Sequence, residues 1–145
     1  SNDFKKNRLL FYPQKEFFKV PRKNLEFGVL GEIAAVDFLK AHGYKILKRN
    51  YKTKFSEIDI VALEAGVICF VEVKARHSDV FGHPAEAISR HKQMQISKSA
   101  LCYLKENNAL DQPARFDILT LLYSQELPEI DLIKDAFVLN NRFSA

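Results

Sequence analysis

The eight residues Val67-Ile68-Cys69-Phe70-Val71-Glu72-Val73-Lys74 constrain this chain more than any other stretch. Largely β-branched and apolar, the run reads as a strand at the centre of a sheet. Burying charge is expensive, yet this run carries Glu72 and Lys74, and the run before it, Ser56 to Leu63, carries Glu57 and Asp59. Ala65-Gly66 makes the turn between them. Side chains alternate along a strand, so Glu72 and Lys74 share one face of theirs, and Glu57 and Asp59 share one face of the neighbour. With Ala65 opposite Gly66, counting outwards sets Asp59 opposite Glu72 and Glu57 opposite Lys74. All four then share one face, to within a residue or two of register.

The rest of the chain surrounds these two strands. Phe27, Leu30, Ile33, Ala34, Phe38 and Leu39 recur at helical spacing between Asn24, a good N-cap, and Gly43, a good stop. Tyr44 to Tyr51 alternates as a short strand with a basic polar face. A Gly/Pro/Asp-containing loop, Arg76 to Pro84, leads to a long helix over about Glu86 to Asn107. Phe116 to Tyr123 reads as another buried strand, and Ile130 to Leu139 as an edge strand or a short terminal helix. Three strands joined by short turns favour an antiparallel meander, and the helix before the next strand permits a parallel crossover. The expected fold is α/β, a mixed central sheet flanked by helices.

At 145 residues and 47% hydrophobic content the chain has the material for one well-cored domain, which excludes disorder, collagen and coiled coil. Charge interrupts every apolar run well short of the roughly 18–20 residues of a membrane-spanning helix, so no membrane partner is expected. The N-terminus carries no signal-peptide pattern, and Cys69 and Cys102 sit inside apolar patterns without metal-ligand spacing. A reduced, cytoplasmic protein is the expectation.

Charge is unevenly spread. Residues 1–24 hold seven Lys/Arg against Asp3 and Glu16, interleaved with Phe4, Phe11, Tyr12, Phe17 and Phe18 and without a period. They read as a basic, aromatic N-terminal arm preceding a single domain over 25–145. Lys40 to Lys54 adds six basic residues and no acid, whereas Glu106 to Asp135 has seven acids against Arg115 and Lys134. Such polarity suits a polyanion footprint, and it also describes an ordinary solvated surface.

Carboxylates on adjacent strands can hold a hard divalent ion, Mg²⁺ or Mn²⁺, which takes oxygen ligands. A lysine two residues beyond such a ligand lies on the same face, where it can orient the attacking water and offset charge building on a phosphate. A bare Glu-x-Lys is more simply an ion pair across the sheet, Lys74 with Glu57 or Glu72. His77, His83 and His91 fit no tight zinc spacing.

Wider motifs shift the balance: Gly28-x-x-Gly31-Glu32-x-x-Ala35, Gly43-Tyr44, Arg49-Asn50, Glu57-Ile58-Asp59, Phe70-Val71-Glu72-Val73-Lys74-x-Arg76, Lys92-Gln93, Ala100, Tyr103 and Arg115-Phe116-Asp117. Over about residues 26–123 this pattern resembles the YraN family of small bacterial proteins, itself similar to restriction-endonuclease-like nucleases and to archaeal-type Holliday junction resolvases. The resemblance implies that superfamily's αβββαβ core. It places the nuclease signature, an acid followed by (Asp/Glu)-x-Lys, on Asp59, Glu72 and Lys74, with Asp59 and Glu72 as ligands of Mg²⁺ or Mn²⁺. Glu32 would be the helix-one acid that points towards the metal, and Glu57 would serve the fold or support the ligands.

Arg76 and Lys92, just past the signature and on the following helix, become candidate phosphate contacts, and Lys48 and Arg49 part of a basic face that holds the DNA backbone. The implied function is metal-dependent hydrolysis of DNA phosphodiesters, with branched or structured DNA as substrate; symmetric cutting of two strands would make a homodimer attractive. The alternative is a non-catalytic nucleic-acid-binding or scaffold protein of the same fold, and a third reading is an interaction module built on the aromatic arm. Two features depart from the family. Ser56 stands where the family usually has Gly, and the N-terminal arm has no family counterpart.

Overall fold

The computed structural model describes residues 8–11, 24–77, 88–124 and 127–138. In chain order the elements are β1 (Arg8–Phe11), α1 (Asn24–Ala41), β2 (Lys45–Lys52), β3 (Glu57–Glu64), β4 (Val67–His77), α2 (Arg90–Glu106), β5 (Ala114–Tyr123) and β6 (Pro128–Phe137). They build a six-stranded mixed sheet in the order β1-β6-β5-β4-β3-β2. From α1 to β5 the elements run αβββαβ, the order of a restriction-endonuclease-like core.

The meander arises from turn chemistry. Ala65 and Gly66 both have positive φ, 48° and 80°, as a two-residue hairpin turn whose twist matches its strands requires. The turn fixes the antiparallel register Glu64↔Val67 through Ile60↔Val71, as counted from the sequence. β4 and β5 run parallel, with α2 as the crossover between them, and occupy the middle of the sheet.

Helix α1 ends at a left-handed Gly43, φ +87°, with the Tyr44 N–H donating to Leu39 O at 2.9 Å and the Gly43 N–H to Lys40 O at 3.2 Å. This paired pattern satisfies the last carbonyls and turns the chain directly into β2. Ser89 caps α2, its Oγ accepting from the Lys92 N–H at 3.1 Å, so the described helix begins at Arg90 rather than at Glu86. Residues 78–87, which include His83 and the expected first turn, lie outside the described residues.

Two hydrophobic clusters sandwich the sheet. Ala34, Ala35, Phe38 and Leu39 of α1 pack on Ile60, Ala62, Val71, Leu119 and Leu132. Ile96, Ala100, Tyr103 and Leu104 of α2 pack on Ile58, Val61, Ile68, Phe70 and Phe116. The segment expected as an edge strand or a helix is the full strand β6, and β1 lies outside it, so β6 is not an edge. Most of the expected arm lies outside the described residues; Arg8–Phe11 is the part that is seen, paired antiparallel with β6.

At the end of the sheet near the β3–β4 turn, charges are paired off. Asp117 has no exposed surface and accepts from Arg115 Nε at 2.9 Å, Tyr44 Oη at 3.2 Å and the Asp135 N–H at 2.9 Å. Glu64 joins Arg115 and Lys134, at 2.8 and 2.9 Å. Burial alone would raise the Glu64 carboxyl, but the hydrogen bonds from these two cations outweigh it and hold it below its usual value. The Arg115-Phe116-Asp117 motif is thereby accounted for as a satisfied structural network.

Candidate metal and nuclease site

Strand β3 leaves its neighbour at one residue. The β3–β4 ladder runs to Ile60↔Val71, and at the next position the Asp59 carboxylate itself takes up β4's backbone, Oδ2 accepting from the Val73 N–H at 2.8 Å. Alternation also breaks here: Ile58 packs in the α2-side cluster and Ile60 in the α1-side cluster. Asp59 therefore stands in the fork between two diverging strands.

Helix α1 supplies a second acid to the fork. Gly31 brings the helix close enough to β4 that a Cβ there would lie 3.0 Å from the Ala75 Cβ, and Glu32 follows in sequence. Glu32, Glu57 and Asp59 each present an oxygen, and the three oxygens lie within 4.8 Å of one another. Three half-buried carboxylates this close repel unless a cation or a proton intervenes. An all-oxygen donor set of this kind suits a hard divalent cation such as Mg²⁺ or Mn²⁺.

Glu72 stands apart from that triplet but is electrostatically bound to it. The residue is 6% exposed, and its Oε1 is buried without a hydrogen-bond partner. Burial first, and then the Asp59 charge, push its carboxyl up to about 8, against the opposing charges of Lys92 and Lys74. Burial likewise raises Asp59 to about 6; the Val73 N–H opposes the shift, and the charges of Glu32 and Glu57 add to it. Without a cation, burial and mutual repulsion both favour keeping a proton on this pair. A buried carboxylate oxygen without a partner, next to Asp59 of the triplet, is a group that a bound cation would satisfy.

The sequence-derived candidates distribute as follows. Asp59 and Glu32 converge; Glu72 is buried next to Asp59; Lys74 is half-buried on the same strand and, among the described residues, forms no ion pair with Glu57 or Glu72. Arg76 is half-buried further along β4, and Lys92 lies exposed on the first turn of α2, its charge reaching both Asp59 and Glu72. Lys48 and Arg49 are exposed on β2, an edge strand of the sheet. Burial first, then Asp117, push the Cys69 thiol up to about 12, which leaves it an inert core residue.

Sequence reasoning under-weighted two residues. Glu57 is a full member of the acidic triplet, and its signal was the Glu-x-Asp alternation itself. Asn50, exposed on β2, adopts φ +51°; with its amide assigned the orientation that meets both acids, its nitrogen lies 2.9 Å from Glu57 Oε1 and 3.3 Å from Glu32 Oε2. Only the Arg49-Asn50 motif hinted at it.

Comparison with known proteins gives one consistent result. A model of the uncharacterised protein family UPF0102 matches residues 31–121. The UPF0102 protein of Geobacter metallireducens is 46% identical over 116 residues, covering 80% of this chain and 95% of that one. Those of Syntrophus aciditrophicus and Acetivibrio thermocellus are 46% and 43% identical, covering 81% and 82% of this chain and 92% and 98% of theirs. The matched region contains every acid of the site.

Proposed function

We propose a nuclease function for this protein, which belongs to the uncharacterised family UPF0102, the YraN family. It is read as a divalent-metal-dependent endonuclease that hydrolyses phosphodiester bonds in DNA, with branched or structured DNA as substrate. The observation that carries the reading is the convergence of Glu32, Glu57 and Asp59 beside a buried Glu72 whose Oε1 has no partner.

In this reading Asp59, Glu32 and Glu57 hold Mg²⁺ or Mn²⁺, with Glu72 completing the carboxylate set. When bound, the ion supplies Lewis-acid polarisation of the phosphate and neutralises the charge of its ligands. Lys74 orients the attacking water and offers positive charge to the phosphate as negative charge builds on it. Arg76 and Lys92 bind phosphates flanking the scissile bond, and Lys48 and Arg49 hold the backbone further out. Symmetric incision of two strands calls for two such sites, which a homodimer would provide.

The test is cleavage of single-stranded, duplex and four-way-junction DNA with Mg²⁺ or Mn²⁺, comparing wild type with Glu72→Ala and Lys74→Ala. Metal-dependent cutting is expected, lowered at least about 100-fold by either substitution. DNA binding that survives both substitutions, without any cutting by wild type, would replace the nuclease with a binding scaffold of the same fold.

A further inference from the structure

Asn50 does something that the nuclease reading alone does not require. It lies in β2 between the pairings Arg49↔Ile60 and Tyr51↔Ile58, level with Asp59. Inside a strand its φ of +51° breaks the extended backbone. Asn tolerates that left-handed conformation better than most residues, yet a strand interior gains nothing from it. What the kink accompanies is the amide: its end group lies between two acids, and only the orientation that turns the nitrogen to them is chemically satisfied, with distances of 2.9 Å to Glu57 Oε1 and 3.3 Å to Glu32 Oε2.

We infer that Asn50 is a positioning residue, whose side-chain amide clamps Glu32 of α1 to Glu57 of β3 and so sets the spacing at which a divalent cation is bound. The inference rests on the metal reading above. Glu32 and Glu57 come from elements that share no hydrogen-bond ladder, and their like charges push them apart. A neutral amide offers each a hydrogen bond without adding a charge that would compete with the ion. It can therefore stay in place whether or not the ion is bound. The unpartnered, buried Oε1 of Glu72 beside Asp59 is the independent sign that this cluster is built to receive something.

Two variants separate this role from a purely structural one. Asn50→Gly keeps the left-handed backbone and deletes the amide. Its melting temperature without metal should fall by no more than about 5 °C, the cost of two hydrogen bonds at an exposed position, while Mn²⁺ affinity, measured by titration calorimetry or electron paramagnetic resonance, should fall about tenfold. Asn50→Asp keeps the shape but turns a carboxylate on Glu57. It should lower the metal-free melting temperature, and added Mn²⁺ should recover the loss.

Mn²⁺ affinity of Asn50→Gly within twofold of wild type overturns the inference and leaves the metal reading standing. So does a metal-free Asn50→Asp variant as stable as wild type, because the amide then does not face the acids. Wild-type protein that takes up no Mn²⁺ overturns the metal reading itself, and this inference with it.

Discussion

Glu72 is the residue whose chemistry is most altered by its surroundings. In water a glutamate is ionised at neutral pH; here burial and Asp59 raise its carboxyl to about 8. An acid with a raised value in the folded state binds its proton more tightly there than in the unfolded chain. Its contribution to stability is fully present below the unfolded value of 4.5 and is lost as pH rises through about 8. Metal-free protein should therefore lose stability progressively from about pH 4.5 to about pH 8 and level off above that, and Glu72→Gln, which keeps the shape without the charge, should be more stable than wild type at pH 9 by roughly 2–4 kcal/mol. Thermal or urea unfolding across that range, with a chelator present, measures the difference. Parallel wild-type and Glu72→Gln profiles would show that the carboxylate ionises there without penalty. The buried Asp117 at the other end of the sheet is the contrast, since its oxygens meet Arg115, Tyr44 and the Asp135 N–H. One carboxylate is satisfied by the fold, and the other keeps an orphaned oxygen.

At the scale of elements, the β3–β4 hairpin and helix α1 together make the fork. The hairpin's register is set by its turn, but Ala65 pays for φ 48° with a Cβ in a region that suits Asn or Gly. Ala65→Asn should stabilise the protein by about 0.5–1 kcal/mol with no change in the pairing Glu64↔Val67. Denaturant unfolding tests this, and a destabilised variant would mean that the Ala65 methyl makes a contact worth more than the strain. The β2–β3 connection is tied to α2 by hydroxyls, Ser99 Oγ lying 2.6 Å from Thr53 Oγ1 and 2.7 Å from Ser56 Oγ. Ser56 thus anchors the entry to the acidic strand on the crossover helix.

For the whole molecule, the acids lie in the fork while Lys45, Lys48, Arg49 and Lys52 line the exposed edge strand β2. Lysine on an edge strand also discourages pairing with another chain. If the basic strand tracks a duplex, the double substitution Lys48→Ala with Arg49→Ala removes two phosphate contacts. The slope of log affinity against log salt should then drop by about 1.8, with equal weakening across DNA sequences. Fluorescence anisotropy at several salt concentrations measures it, and an unchanged slope would move the DNA path to another face. No helix among the described residues is long and apolar enough to cross a membrane.

Much of the architecture was legible in the sequence because it depends on local signals. The apolar run Val67 to Val73 marked a central strand; Ala65-Gly66 fixed the hairpin register; Gly43 ended α1; and the helix between β4 and β5 implied the parallel crossover. The sequence of strand β6 admits both a strand and a helix because a ten-residue apolar and acidic segment carries no period that excludes either. The pairing of Arg8–Phe11 with it had no local signal at all.

Of the site, the residue types and their order were readable: Asp59, Glu72 and Lys74 stand out as charges in apolar strands. The sequence alone determined which acids exist and that Glu57, Asp59 and Glu72 lie on neighbouring strands. Tertiary structure alone decided which of them meet. A flat-sheet count assumes continuous pairing, whereas β3 peels away at Asp59, Gly31 admits α1 against β4, and the Asn50 amide lies between Glu32 and Glu57. These are contacts between residues far apart in the chain, and no periodicity within a strand or helix encodes them.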